Sequence, residues 1–228
     1  LISNNLTELE LNENHRLSYI SDDLFKNVQN LKTLYISESP FFNFENNSFW
    51  DLTELENLRL SWLNLTELPE ILFGNSQKLK TLDLCGNKFL SLDKLFQANF
   101  PDLEVLNLCY NPIELTNVTF STLLNLKELN LANCGLSNLS ENIFETLIRL
   151  ENLDLSFNNL TDLDENIFAN NLNLIKIDLN SNQLKNINFD FAKLNKIEYV
   201  DLKFNSCIDN GFNSDGWSLF LRNITEFG

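Results

Sequence analysis

Histidine occurs once in these 228 residues, as His15, and methionine not at all. Zinc takes about four ligands, and His15 lies far from the four cysteines along the chain, so no metal site is expected. A catalytic cysteine has no histidine within reach to activate it. The six glycines form no phosphate-cradling loop, so no cofactor is expected either. Positive charge is also scarce: 16 Lys and Arg stand against 32 Asp and Glu, a formal charge of −16. Phosphate backbones require a basic surface. The balance therefore speaks against nucleic acid and against an anionic membrane surface, and for a protein partner with a basic surface. No run of eighteen or more apolar residues occurs, so no direct membrane insertion is expected.

What the chain has in abundance is leucine and asparagine at fixed spacing. The hexamers LELNEN (9–14), LDLCGN (82–87), LNLCYN (106–111), LDLSFN (153–158), IDLNSN (177–182) and VDLKFN (200–205) share one pattern. Their second apolar residue falls at Leu11, Ile36, Leu60, Leu84, Leu108, Leu131, Leu155, Leu179 and Leu202, with gaps of 23 to 25 residues. The unit reads L-x-x-L-x-L-x-x-N-x-L, and on this motif the chain resembles the leucine-rich-repeat family over nearly its whole length.

The physics behind the motif is direct. Alternation in x-L-x-L puts two leucines inward and their neighbours outward. One unit cannot bury its apolar side alone, so units stack around a continuous core. The expected fold is an α/β solenoid, a leucine-rich-repeat horseshoe of about nine 24-residue units with a parallel concave sheet. Position nine of the unit holds Asn14, Asn87, Asn111, Asn158, Asn182 and Asn205, whose amides can bond the backbone leaving each strand. Cys134 stands in the same column, whereas Ser39 and Leu63 depart from it and predict less regular second and third turns. Phe25, Phe49, Phe73, Phe96, Phe120, Phe144, Phe168 and Phe191 form a further column, expected as a core spine behind the convex side.

Residues 1–208 are read as the solenoid and 209–228 as a C-terminal cap. Trp217, Phe220, Leu221 and Ile224 fall at i, i+3, i+4 and i+7, one apolar face of a short helix. Such a helix would close the last repeat. The chain starts inside the pattern without a cysteine-bearing cap, which reads as a processed or truncated beginning.

Cys134 and Cys207 read as small buried fillers. Cys85 and Cys109 share position seven of adjacent units, expected to point outward on the concave sheet. Parallel strands lie about 4.8 Å apart, within the roughly 4.4–6.8 Å that a disulfide spans between Cα atoms. A Cys85–Cys109 disulfide and a pair of neighbouring thiols are both compatible with this.

Positions five and eight face outward too. They supply Tyr35, Arg59, Asp83, Asp154, Asp178 and Asp201, and Trp62, Tyr110, Phe157 and Phe204. Exposed aromatics carry much interface energy, so these ten residues form the candidate partner-binding face. The alternative is that the acids merely keep the sheet soluble and the aromatics tuck against the following turn. Neighbouring acids such as Asp154 and Asp178 arise automatically in a repeat, and no deep pocket is implied. An enzyme is therefore not expected.

Seven acceptor sequons lie at Asn5, Asn46, Asn64, Asn117, Asn138, Asn159 and Asn223, which points to an extracellular, secreted glycoprotein. Units of 24 residues with a Phe spine and sequons resemble Toll-type ectodomains and insect immune proteins. The segment NSCIDNGFNSDGWSLFLRNI is similar to the cap of mosquito leucine-rich immune proteins. That resemblance implies protein recognition in innate immunity, with a homo- or heterodimer compatible with it. A Toll-like membrane receptor ectodomain and an extracellular matrix or adhesion protein are the alternatives.

Overall fold

In the computed structural model the described residues are 5–39, 43–69, 71–97, 100–187 and 189–206. Nine short parallel strands, one per repeat, form a single sheet in chain order. They are β1 (Glu8–Glu10), β2 (Thr33–Ser37), β3 (Asn57–Ser61), β4 (Thr81–Asp83), β5 (Val105–Asn107), β6 (Glu128–Asn130), β7 (Asn152–Asp154), β8 (Lys176–Asp178) and β9 (Tyr199–Asp201). Register is strict: Leu34 pairs with Leu58, Leu58 with Leu82, and Leu106 with Leu129. Each repeat thus stacks like on like, which makes the solenoid readable from spacing alone. The capping helix expected over 209–228, and Cys207, lie outside the described residues.

The core lies between this sheet and the returning turns. The leucines of positions one, four and six are almost wholly buried from Leu31 to Leu179. Burying one such side chain contributes about 1.5–3 kcal/mol. At the first turn Leu6, Leu9 and Leu11 are only partly buried, as is Val200 in the ninth.

The phenylalanine column is the spine expected of it, with a refinement. Phe120, Phe144 and Phe168 stack with centroids 6.4 and 6.0 Å apart. Where the spacing shortens to 23 residues, a second phenylalanine wedges in. Phe100 touches both Phe73 (5.4 Å) and Phe96 (6.2 Å), and Phe189 touches both Phe168 and Phe191 (each 5.3 Å). Beside the spine, Ser76, Thr146 and Asn171 donate to the carbonyls of Phe49, Phe120 and Phe144 in the preceding turn.

The asparagine ladder closes the strand exits. Asn87 Nδ2 donates to Leu60 and Leu84 carbonyls at 2.7 and 2.8 Å, while its Oδ1 accepts from Leu63 and Leu65 N–H. Asn111, Asn158, Asn182 and Asn205 repeat this bridge between turns. Cys134 fills its ladder place by pointing Sγ at Leu108 O, 3.3 Å away. It has no amide oxygen to offer, and the Ile113 N–H turns to Asn111 O instead. Burial pushes the Cys134 thiol up to about 11. At the two other departures, Ser39 and Leu63 are fully buried. The strands that precede them, β2 and β3, run five residues rather than three.

Candidate recognition face

Every residue at position eight adopts left-handed backbone, from Glu13 (φ 57°) through Trp62 (57°), Tyr110 (54°) and Phe157 (55°) to Phe204 (57°). This conformation ends the period-two alternation of the strand and swings the position-eight side chain out of the sheet. For a residue other than glycine it costs about 1–2 kcal/mol, offset by the ladder bonds that fix the turn. Trp62, Tyr110, Phe157 and Phe204 are accordingly exposed, at 49, 50, 59 and 80%. Gly86 occupies the same place between Trp62 and Tyr110, also with positive φ. The Trp62 ring lies over it and meets Tyr110 at a centroid distance of 5.5 Å.

Position seven keeps its outward direction but is covered. Cys85 and Cys109 cluster with Ala132 apart from the main core, yet are only 8 and 7% exposed, in a buried column with Ser37, Ser61 and Ser156. All six side chains are small, so they sit below the level of the flanking columns. Cys85 and Cys109 are joined in a disulfide with Cα atoms 4.6 Å apart. They crosslink two turns from within the face rather than presenting sulfur to solvent.

The position-five acids have a structural task that the sequence reading did not assign. One carboxylate oxygen of Asp83, Asp154, Asp178 and Asp201 accepts the N–H two residues on, in Cys85, Ser156, Asn180 and Lys203. Asn107 and Asn130 do the same for Cys109 and Ala132. These are Asx turns that prepare the left-handed residue following.

The ten candidate residues separate into groups. Tyr35, Arg59 and Asp83 meet on three adjacent strands, with Arg59 Nε 3.1 Å from Asp83 Oδ2 and its guanidinium 4.9 Å from the Tyr35 centroid. Asp154, Asp178 and Asp201 form a second row, paired in register on β7, β8 and β9. Trp62 and Tyr110 form a third group, while Phe157 and Phe204 flank the second row from their own turns. Lys176 lies 5.4 Å from the Tyr199 ring centroid, and the Tyr199 hydroxyl donates to Asp201 at 2.8 Å. Desolvation raises the Asp201 pKa, but hydrogen bonds from Lys203 N–H and Tyr199 together with the Lys203 charge outweigh it and leave the value below the usual range. The bond to Asp201 raises the Tyr199 pKa. Upstream of these rows a shallow hollow opens on the sheet, lined by Asn107, Glu128, Asn130, Asn152, Asp154 and Lys176.

A charge ladder along position two was missed, although the sequence carries it as Lys32, Glu56, Lys80, Glu104, Lys127 and Glu151. Glu56 bridges Lys32 at 2.9 Å and Lys80 at 2.8 Å, and Glu104 meets Lys127 at 2.9 Å. The hydrogen bonds from Lys80 and Lys32 draw the Glu56 carboxyl down to about 2. Of the sequon asparagines, Asn5, Asn46, Asn117, Asn138 and Asn159 are exposed and Asn64 is half-buried. Asn223 lies outside the described residues. Among the described residues no group of His, Cys, Asp or Glu is arranged to hold a metal ion, and no helix is long and apolar enough to cross a membrane.

The family profile "Leucine rich repeat" matches residues 4–65, 77–136 and 148–206. The chain belongs to the leucine-rich repeat family. This leucine-rich repeat protein is 34% identical to mouse CD180 antigen over 118 residues, 50% of this chain and 18% of that protein. With human Toll-like receptor 8 it shares 31% over 153 residues, 59% of this chain and 15% of the receptor. Among solved structures it resembles the TLR13–ssRNA13 complex, with a TM-score of 0.80 and 32% identity, covering 87% of this chain and 29% of that one. The leucine-rich repeat domain of APL1B superposes with a TM-score of 0.64 at 23% identity, over 87% of this chain and 64% of that domain, a likeness of fold. The chain spans less than a fifth of the length of the curated relatives it matches. Its repeats resemble those of Toll-type receptors.

Proposed function

We propose that this leucine-rich repeat protein works outside the cell in innate immune recognition, secreted and glycosylated, binding a protein partner through the C-terminal half of its concave sheet. The observation that carries the reading is the in-register row Asp154–Asp178–Asp201, flanked by the exposed ring of Phe204. Like charges directly opposite one another on adjacent strands are destabilising. Lys or Arg side chains of a partner would neutralise them, and the aromatic flank would supply apolar contact. The disulfide fits an oxidising compartment, and the kinship with CD180 antigen and Toll-like receptor 8 favours immunity over matrix adhesion. TLR13 forms its complex with an ssRNA. Here the −16 charge opposes phosphate.

The test is an Asp154→Asn, Asp178→Asn, Asp201→Asn triple variant. Asn107 and Asn130 already cap the equivalent N–H groups of Cys109 and Ala132, so the fold should persist with a Tm no lower than that of the wild type. Proteins captured from the source's extracellular fluid by the wild type are identified by mass spectrometry, and their Kd is measured at two salt concentrations. A tenfold or greater weakening and a flatter salt dependence in the variant support the reading. Equal binding by both chains, or capture of RNA in place of protein, overturns it.

A further inference from the structure

Two of the exposed aromatics at position eight stand two residues before a sequon asparagine: Trp62-Leu63-Asn64-Leu65-Thr66 and Phe157-Asn158-Asn159-Leu160-Thr161. Both asparagines occupy position ten, on the first residues after the ladder. In the first case the structure brings the two together, since Trp62 and Asn64 line one open groove with Tyr110, Lys88 and Asn133. Trp62 is held there, its ring filling the space above Gly86 and meeting Tyr110. Asn64 itself has a φ of 62°, a conformation asparagine tolerates better than most residues. That accounts for an asparagine at this place but not for Thr66 or for an aromatic ring left half in water. In the second case Gln183 Nε2 donates to Asn159 Oδ1 at 3.1 Å, holding the amide at the surface, and Phe157 is the more exposed ring.

We propose that Asn64 and Asn159 carry N-linked glycans and that the first N-acetylglucosamine of each packs on the ring two residues before it, Trp62 and Phe157. The inference uses the extracellular half of the proposed function and does not need the partner. In the secretory pathway an oligosaccharyl lipid pyrophosphate is the donor. Its sugar C1–O bond breaks, C1 bonds to asparagine Nδ2, the amide loses one proton, and the lipid pyrophosphate leaves. One face of the sugar presents C–H groups, which suit the electron-rich face of an indole or phenyl ring. Lys88 and Asn133 on the groove walls can bond its hydroxyl and acetamido groups.

The structure also separates these sites from a look-alike. Phe44 stands two residues before the sequon Asn46, but it is 6% exposed and packed edge-on to Phe49 at 5.2 Å. It has no face to offer a sugar. At Asn138 the residue two before is Leu136, which is buried. Under this assignment two of the four exposed aromatics at position eight serve the protein's own glycans, and Phe204 beside the acidic row is left for a partner.

The full chain, secreted from insect or mammalian cells, tests this. Glycopeptide mass spectrometry reads occupancy at each sequon. A double-mutant cycle then compares wild type, Thr66→Ala (which removes the glycan), Trp62→Ala and the double variant. Expected are occupied Asn64 and Asn159, and a Tm lowered by about 3 °C on loss of the Asn64 glycan. In the Trp62→Ala background the same loss should change nothing. Thr161→Ala with Phe157→Ala should repeat the coupling, and Ser140→Ala should show none. Trp62→Tyr retains a ring, so it should retain the coupling even if Trp62→Ala folds poorly. The indole ring current should shift the acetyl-methyl NMR signal of the Asn64 sugar upfield, and Trp62→Ala should return it to the free-sugar position. Glycans without coupling and without that shift overturn the packing alone. A secreted chain with every sequon bare overturns the glycan assignment together with the glycoprotein part of the proposed function.

Discussion

Trp62 occupies the space that a side chain on Gly86 would need: a Cβ built on the glycine falls 2.3 Å from the indole ring. Gly86 also has a φ of +69°. Gly86→Ala therefore adds a left-handed penalty of about 1 kcal/mol and drives the ring off Tyr110. The expected result is a Tm a few degrees lower with an altered near-UV circular dichroism signal. An unchanged spectrum would mean that the Trp62–Tyr110 contact does not persist in solution.

Asn111 is the most deeply buried of the ladder asparagines, 1% exposed, and its loss should be felt sharply. Its Nδ2 donates to Leu84, Leu108 and Cys109 carbonyls at 2.9, 3.0 and 3.2 Å, and Phe89 N–H donates to its Oδ1 at 3.2 Å. Asn111→Ala strands these buried groups, at about 1–3 kcal/mol for each left unsatisfied. Denaturant unfolding should register a loss of about 3 kcal/mol or more. A loss below about 1 kcal/mol would mean that water replaces the amide.

The Cys85–Cys109 disulfide closes a loop of 24 residues. A loop of that size is worth about 3 kcal/mol when the chain is otherwise free, and stacking already restrains both ends here. Serine fills the same buried column at Ser37, Ser61 and Ser156. The Cys85→Ser, Cys109→Ser double variant should thus fold, losing less than about 3 kcal/mol and all sensitivity of its Tm to reductant. A variant that fails to fold would show the crosslink to be essential to the stack.

Acid should loosen the charge ladder in a definite window. Glu56 falls from an ordinary value of 4.5 to about 2 when folded, so the unfolded chain takes up its proton first. The stabilisation is whole above pH 4.5 and drains away as pH drops toward 2. Glu104 is lowered in the same direction, chiefly by its hydrogen bond from Lys127. Glu56→Gln should flatten the Tm-against-pH curve between these limits and reduce its response to salt. A curve parallel to wild type would refute the ladder's part in stability.

Much of this molecule was legible because register copies each residue onto its own kind. Marker leucines, the phenylalanine spine, the asparagine ladder and the place of Cys134 all followed from spacing. The sequence-based view failed where alternation stops. Position seven lies on the outward parity, yet from Ser37 to Ser156 its residues are small enough to disappear beneath their neighbours, so Cys85 and Cys109 are buried. The acids of position five looked like a surface column because charge was read without its partner two residues on. Phe100 and Phe189 carry no columnar signal of their own, since each answers to a one-residue shortening of the unit. The candidate face was legible as a list of ten residues. Its division into three groups came only with the strand pairing and the Trp62 ring.

Alternation of Lys32, Glu56, Lys80, Glu104 and Lys127 on successive turns imposes a parity on the repeat number. Removing one internal unit would set lysine beside lysine or glutamate beside glutamate, whereas removing two would restore opposite neighbours. Each exposed pair is worth only a few tenths of a kcal/mol. The preference is nonetheless cumulative, and it makes a pair of turns, rather than one, the natural quantum by which this solenoid can lengthen or shorten.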